Sequence, residues 1–379
     1  MEAEHAMSAP SASLDGQFAP VYQVLINAIA ARAFPGCAFG VYAQGRVVLQ
    51  DALGGSTYNG DAFPITSETV YDIASISKVV ATTTAAMILA ERGALEIDTP
   101  LGDLLPGFVV GRSPGERARH ITIRHLLAHN SGLPGYVELF RNAKTPEDLV
   151  RACLQLPIET EPGTRAEYSD PGFILLGKAL EALTRESLAT WVRREIFTPL
   201  HLRSTDYAPA PARRDLIPPT EEDQGFRNRR IQGEVQDENA WLLKGVAGHA
   251  GVFSNVSDLL RFAGSVLAAA RNDAGRSAPK LFSKQTLERF SERQGPAGSS
   301  RALGWDTPSE NSSAGHYFSK RSIGHLGYSG CSLWIDLDAQ IAIVLLTNRT
   351  WPDRKSQLIR EVRPAFHDAM REALMTAQK

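Results

Sequence analysis

Cysteine is scarce in this chain. The three present, Cys37, Cys153 and Cys331, are far apart and form no C-x-x-C. An odd, scattered set excludes a disulfide scaffold and a cysteine-rich structural zinc site, and leaves buried free thiols as the expectation. Long apolar runs are missing too. A stretch such as Ile341–Leu346 falls far short of the roughly 20 residues a membrane-spanning helix needs, so no membrane span is expected. Nor does one sign of charge dominate. Forty Lys and Arg against 42 Asp and Glu leave a net charge of −2, which argues against a nucleic-acid partner gripped by a basic face. The start, Met1-Glu2-Ala3-Glu4-His5, has no basic segment followed by an apolar one. No signal peptide is read, and the chain as given is expected in the cytoplasm, or in the periplasm or outside the cell if a leader was trimmed.

Core-forming residues are plentiful: 43% of 379 residues are hydrophobic. This excludes global disorder, and the length suits about two to three domains. Residues 1–14 are rich in Ala and Ser and are expected to be loose. From Leu14 to Ala33, Phe18, Val21, Leu25, Ala28 and Ile29 recur at helical spacing until Phe34-Pro35-Gly36 stops the run. Cys37–Ala43 and Val47–Ala52 read as a hairpin around Gln44-Gly45-Arg46. A helix is expected over Ser77–Arg92, with Gly93 at its stop. Between about 95 and 300 the patterns are mostly helical, as in 123–129, 146–155, 171–183, 189–197 and 256–270, and strand-like alternation is sparse. Strands return at Ser322–Leu326, Ser332–Asp336 and Ile341–Thr347, and a helix over about 356–377 closes the chain.

This layout predicts an α+β fold. One antiparallel β-sheet, made from both ends of the chain and flanked by terminal helices, carries a large, mostly helical insertion. Residues 1–95 and 301–379 are expected to form a discontinuous sheet domain and 96–300 a helical domain. The active site is expected in the crevice between them.

Three short motifs carry chemistry. Ser75-Ile76-Ser77-Lys78 is S-x-x-K entering a helix, a spacing that puts hydroxyl and amine on one face. A serine needs such a partner to become a nucleophile, and a helix start favours developing negative charge. Alone, the motif more often describes a plain N-cap serine with a solvated lysine one turn on. Tyr168-Ser169-Asp170 follows a Pro-Gly turn and precedes an apolar helix. An ammonium beside Tyr168 would lower its pKa and make it a general base; alone, it describes a core tyrosine and a capping aspartate. His325-Leu326-Gly327-Tyr328-Ser329-Gly330 joins two strands. Gly327 would let backbone approach a ligand, and a strand N–H there would serve as half of an oxyanion hole; alone, it is a Gly-rich hairpin.

Taken together, and in this order, the motifs resemble the serine β-lactamase and penicillin-binding-protein superfamily, in particular its class C-like serine-hydrolase branch. Thr122-Ile123-Arg124-His125-Leu126-Leu127-Ala128-His129-Asn130-Ser131-Gly132-Leu133 is similar to that branch's T-x-R-H-L-L-x-H-x-S-G-L segment. The stretch from Gly245 to Ser254, with Asp237-Glu238-Asn239-Ala240 before it, brings the likeness closest to the penicillin-binding-protein 4B-like group. The resemblance covers about residues 20–375 and implies the β-lactamase/transpeptidase-like fold. It implies Ser75 as the acylated nucleophile, Lys78 as the residue that shares its proton and Tyr168 as general base and then acid. The backbone N–H groups of Ser75 and Tyr328 would form the oxyanion hole. Neither metal nor organic cofactor is implied.

Two departures shape the expected substrate. The family's Tyr-x-Asn reads Tyr168-Ser169-Asp170, and an ionised Asp170 only accepts hydrogen bonds; pointed at Lys78, it would favour the ammonium. The family's Lys-Thr-Gly reads His325-Leu326-Gly327, which exchanges a cation and a hydroxyl for a partly charged histidine and a leucine. Asp170, His325 and Gly327 are therefore expected to bind substrate, but an anionic β-lactam or peptide C-terminus only poorly. The leading expectation is a serine hydrolase of small esters or amides. The alternatives are a D,D-carboxypeptidase or β-lactamase, and a non-catalytic ligand-binding member of the fold. The expected partner is a small-molecule ester, amide or β-lactam; oligomeric state is left open.

Other signals carry less. Gly172–Ala179 spells G-x-x-x-x-G-K without the Ser or Thr a phosphate loop needs, and reads as buried helix. His125 and His129 lack the glutamate of a zinc hydrolase, and His129 is expected to close the Asn130-Ser131-Gly132 turn. His249, among glycines, lines the crevice or bonds its own loop. Arg227-Asn228-Arg229-Arg230 reads as a solvated loop, with binding of an anionic group as the lesser option.

Overall fold

The computed structural model describes residues 16–113, 116–271 and 279–376; the Ala/Ser-rich stretch 1–14 and Ala377 lie outside them. The chain opens with α1 (Ala19–Ala30), β1 (Gly36–Ala43), β2 (Arg46–Gly54) and β3 (Tyr71–Asp72). Next come α2 (Thr84–Glu91), α3 (Leu101–Leu104), α4 (Ile123–Leu127), α5 (Pro146–Leu154), α6 (Asp170–Thr184) and α7 (Leu188–Val192). Short strands β4 (Asp206–Tyr207), β5 (Glu221–Asp223) and β6 (Arg229–Ile231) precede α8 (Glu238–Leu242), β7 (Val252–Ser254), α9 (Val256–Arg271) and α10 (Lys284–Ser291). The chain ends with β8 (Ser322–Leu326), β9 (Ser332–Asp336), β10 (Ile341–Thr347) and α11 (Ile359–Thr376). Among the described residues no helix is long and apolar enough to cross a membrane.

Five strands pair antiparallel in the order β2-β1-β10-β9-β8, so the first hairpin and the last three strands share one sheet. Strand β1 meets β10 from Cys37↔Thr347 to Tyr42↔Ala342. Alternation along these strands sorts their side chains to two faces. Phe39, Val41, Trp334, Ile343 and Leu345 pack with Val21 and Leu25 of α1 and with Phe366 and Met370 of α11. Ala38, Leu333, Ile335, Val344 and Leu346 join a larger core with α2, α6 and α9. Because both faces are covered, β10 reads as an unbroken apolar run. Gly40 permits this packing: a Cβ there would lie 2.8 Å from Val256 Cγ1 and 2.9 Å from Leu260 Cδ1 of α9. All three cysteines are free and buried.

Two features differ from the sequence expectation. Strands are not confined to the chain ends. β3, β7 and β4 form a small sheet, with Tyr71 opposite Ser254, and β5 pairs with β6. Strands of two or three residues are too short to show alternation. The expected helix over Ser77–Arg92 is also not regular. A 3-10 turn at Ala74–Ile76 leads into π-helical Lys78–Thr83 before α2 begins. Such wide turns recur at functional sites.

One buried cation ties the sheet to its crevice. Arg363 of α11, only 7% exposed, donates to Gly327 O at 2.6 Å, Cys331 O at 2.8 Å and Gly330 O at 3.2 Å. Burial lowers its pKa to about 10, which leaves it charged at neutral pH. Arg363→Met would leave Gly330 O without its donor and bury an uncompensated gap beside Gly327 O and Cys331 O, which keep only the N–H groups of Gly330 and Gly327. It should destabilise the protein by about 3 kcal/mol and lower Tm by roughly 5 °C or more; calorimetry checks this, and an unchanged Tm refutes it.

Candidate active site

Ser75 sits on the 3-10 turn after β3, behind a strained residue. Ala74 has φ +47°, unusual for a side chain with a Cβ. Asp72 holds that turn, because its Oδ1 accepts from Ala74 N at 2.8 Å and its Oδ2 from Gln236 N at 2.8 Å. Burial pushes the Asp72 carboxyl up to about 6 in spite of these two N–H donors. The Asp72 carbonyl accepts from Ser329 Oγ at 2.8 Å, which fastens the β8–β9 turn to the same spot.

Lys78 is fully buried. Its Nζ donates to Ser75 Oγ at 3.1 Å, Asp170 Oδ1 at 2.6 Å and His249 O at 2.9 Å, so all three ammonium protons are used. Burial pulls its pKa down, but Asp170 and Tyr168 outweigh that and the net shift is upward. Lys78 therefore rests as an ammonium.

Asp170 and Tyr168 are placed by the start of α6. Ser169 caps that helix, its Oγ accepting from Gly172 N at 3.0 Å and donating to Pro134 O at 2.7 Å. His129 does not close its own turn as expected. Its Nδ1 accepts from Ser169 N at 3.0 Å, and its ring lies 4.6 Å from that of Tyr168 and 4.8 Å from that of Phe173. His125 instead completes the capping box of α4 with Thr122. The Tyr168 ring centroid stands 4.8 Å from Lys78 Nζ, and the hydroxyl faces both Lys78 and Ser75.

The expected fall in the Tyr168 pKa is not found. Burial raises it, Lys78 opposes this, and the Asp170 carboxylate adds to the rise. The conditional expectation for Asp170 is realised, since it points at Lys78. The cation that would have stabilised a phenolate is thus already neutralised.

The other expected substrate residues are changed in role. His325 is buried and its Nδ1 donates to Leu326 O at 2.8 Å. Burial first, with Lys78 and Arg301 nearby, holds its pKa well below the usual histidine value. It is neutral rather than partly charged, and its ring sits 5.8 Å from Tyr168. Gly327 does not open toward a ligand: a Cβ there would lie 2.5 Å from Ile73 O, so its glycine serves contact with Ile73, the residue between β3 and the Ser75 turn. Tyr328 is half exposed, beneath Arg349 at 4.4 Å and Arg354 at 5.9 Å.

A cavity of about 310 Å³ opens on Ser75, lined also by Tyr168, Asp170, Asp237, Tyr328 and Arg354. Arg354 is bound by Glu221 at 2.6 Å and Glu238 at 2.7 Å. The 227–230 run supplies no free cation here. Arg227 is a buried partner of Asp223 at 2.9 Å, and Arg229 and Arg230 pair with Glu234 and Glu222. Asp237, Glu238 and Arg354 escaped the sequence reading as functional groups. Only the Asp237-Glu238-Asn239-Ala240 stretch drew notice, as part of a resemblance.

Known proteins bear on this arrangement. The family model described as Beta-lactamase matches residues 22–364. The chain is 29% identical over 361 residues to the N-acetylmuramyl-L-alanine amidase of Bacillus subtilis (strain 168), covering 87% of this chain and 80% of the amidase. Among solved structures it is similar to the octameric penicillin-binding protein homologue from Pyrococcus abyssi, with TM-score 0.72, 21% identity, and 95% and 77% of the two chains covered. It is also similar to EstCE1, a hydrolase with promiscuous acyltransferase activity, with TM-score 0.71, 23% identity, and 92% and 98% covered.

Asp170 raises the pKa of both Tyr168 and Lys78. Asp170→Asn should therefore lower both, since its charge no longer opposes the phenolate or supports the ammonium. The tyrosinate absorbance of Tyr168, read as the difference from a Tyr168→Phe protein, should appear at lower pH in Asp170→Asn than in the wild type. The same or a higher pH would refute the electrostatic account.

Proposed function

Because the chain belongs to the Beta-lactamase family and is a hydrolase of the serine β-lactamase and penicillin-binding-protein superfamily, we propose that it cleaves small esters or amides through an acyl-enzyme on Ser75. The observation that carries this reading is the contact of Ser75 with a buried Lys78 beside Tyr168, at the edge of a cavity of substrate size. In this reading the cavity is the crevice between the sheet domain (residues 1–95 and 301–379) and the helical domain (96–300).

The geometry suggests how each group acts. Ser75 Oγ attacks the substrate carbonyl as its proton moves to the Tyr168 oxygen. Tyr168 rests as a neutral phenol, so the reactive fraction is the ionised one, and it grows as pH rises. Lys78 stays charged and steadies both oxygens. The N–H groups of Ser75 and Tyr328 receive the oxyanion. Tyr168 then protonates the leaving group, and water releases the acyl chain by the same steps. The similarity to an amidase supports amides beside esters.

The cavity wall argues against an anionic substrate. Asp170, Asp237 and Glu238 line it, and its one arginine is already paired. His325 is neutral and Leu326 has no hydroxyl. A paired assay with a short-chain p-nitrophenyl ester and a chromogenic cephalosporin tests the reading. Ester turnover should fall about 1,000-fold or more in Ser75→Ala, with little cephalosporin hydrolysis by the wild type. Efficient cephalosporin hydrolysis would make this a β-lactamase instead, and fluorophosphonate labelling absent from Ser75 would leave a non-catalytic binder.

A further inference from the structure

Lys78 is not the only cation against Tyr168. The guanidinium carbon of Arg301 stands 5.0 Å from the Tyr168 ring centroid, nearly as close as Lys78 Nζ at 4.8 Å. Arg301 lies between α10 and β8, on a turn that the core holds. Ala302, Leu303 and Trp305 are fully buried, and Ala302 N donates to Trp305 O at 2.9 Å. Gly304, at φ +81°, donates its N–H to Leu127 O at 2.8 Å. Asp306 and Gly324 of β8 exchange both backbone hydrogen bonds at 2.9 Å, which fixes the turn against the strand that carries His325.

Arg301 differs from Lys78 in how its charge is balanced. Lys78 is bonded to Asp170 at 2.6 Å. The Arg301 side chain is 23% exposed and makes no hydrogen bond among the described residues; its ion partner, Asp306 Oδ2, stands 3.8 Å off. That is beyond hydrogen-bond reach. The other Asp306 oxygen is taken by Ser300 Oγ at 2.6 Å and Thr307 N at 3.0 Å. The remaining neighbours of Tyr168 add little charge. The His129 ring is 4.6 Å away and the His325 ring 5.8 Å. Burial holds both histidines well below the usual value; Arg301 is the next cause for His129, and Lys78 then Arg301 for His325. Both imidazoles are therefore neutral. Glu167, next in the chain, pairs with Arg165 at 3.1 Å. The charged groups facing Tyr168 are thus Lys78, Asp170 and Arg301. The first two largely cancel, and Arg301, offset only in part by Asp306, supplies the net charge at the ring. A cation over a ring face attracts a neutral phenol through the quadrupole, but attracts a phenolate by a full unit of charge as well.

We propose that Arg301 is a positioning residue for the reaction: its guanidinium, stacked on Tyr168, stabilises the phenolate in place of the Lys78 charge that Asp170 cancels. This deepens the reading of Tyr168 as the base toward Ser75. It rests on that reading for turnover, but not for the ionisation itself.

Ionisation of Tyr168 can be read without turnover, which keeps the two claims apart. Tyrosinate absorbance is followed across pH in the wild type, Arg301→Gln and Arg301→Lys, each as the difference from the same protein carrying Tyr168→Phe. Losing a favourable cation raises the pKa of a phenol, so Tyr168 should ionise about one pH unit or more higher in Arg301→Gln. Arg301→Lys, which keeps the charge, should restore most of that shift. Arg301→Met keeps the apolar stem and repeats the measurement through a second uncharged side chain. Labelling of Ser75 by a fluorophosphonate should be about tenfold slower in Arg301→Gln where the wild-type rate is rising, and should catch up at higher pH. A merely structural residue would slow it equally at every pH. Arg301 is not one of the residues lining the cavity, so the KM for a p-nitrophenyl ester should stay unchanged while kcat falls. Ionisation at the same pH in the wild type and the uncharged variants overturns the proposal, as does a lysine protein displaced as far as the glutamine one. A shifted tyrosinate beside labelling that ignores pH upholds the effect of Arg301 on the phenol and rejects Tyr168 as the base.

Discussion

An ammonium group sealed from water governs the rest of this structure. Lys78 has no exposed surface, and an unpaired charge in such a place would cost several kcal/mol or more. Its three partners come from three separate segments: the Ser75 turn, the start of α6 and the loop at His249. None of these segments can be placed without the others. Neighbouring bonds lock the same junction, with Thr82 Oγ1 donating to Gly248 O at 2.7 Å and Val252 N donating to Ser77 Oγ at 3.0 Å. The irregular helix from Ala74 to Thr83 is where this network forces the backbone away from α-geometry.

The choice of an acid at position 170 then sets the character of the site. With a neutral partner, the Lys78 charge would act on Tyr168 unopposed. With Asp170, the pair is neutral, the phenol keeps its proton, and the cavity gains an acceptor. Asp237 and Glu238 push the wall further in the same direction, and Arg354 is occupied by Glu221 and Glu238. On the proposed reading, this acidic bias disfavours an anionic substrate.

Much of this was legible in the sequence because it is local. The hairpin at Cys37–Ala52, the three late strands and the helix starting at Asp170 announce themselves by periodicity and turn residues. So does the Ser75–Lys78 pairing, which needs only helical spacing. The rest depends on contacts between distant segments. Nothing near His129 in sequence says that its ring will pack on Tyr168, about 40 residues on, and nothing in Gly327 says that its open side will be filled by Ile73. Strands as short as β3, β4 and β7 gain their pairing from the fold, not from their own pattern. The pKa of Tyr168 is illegible in the motif for the same reason: Lys78 can be named from the motif, but the burial and the balancing carboxylate belong to the assembled site.

The most direct test of the account follows the rate of Ser75 labelling by a fluorophosphonate across pH, in the wild type and in Tyr168→Phe. It requires no knowledge of the natural substrate. The account predicts that wild-type labelling accelerates as pH rises above neutral, tracking ionisation of Tyr168, and that Tyr168→Phe is labelled slowly without that rise. An identical pH profile in the two proteins would contradict it, because the proton of Ser75 would then be leaving by a route in which Tyr168 has no part.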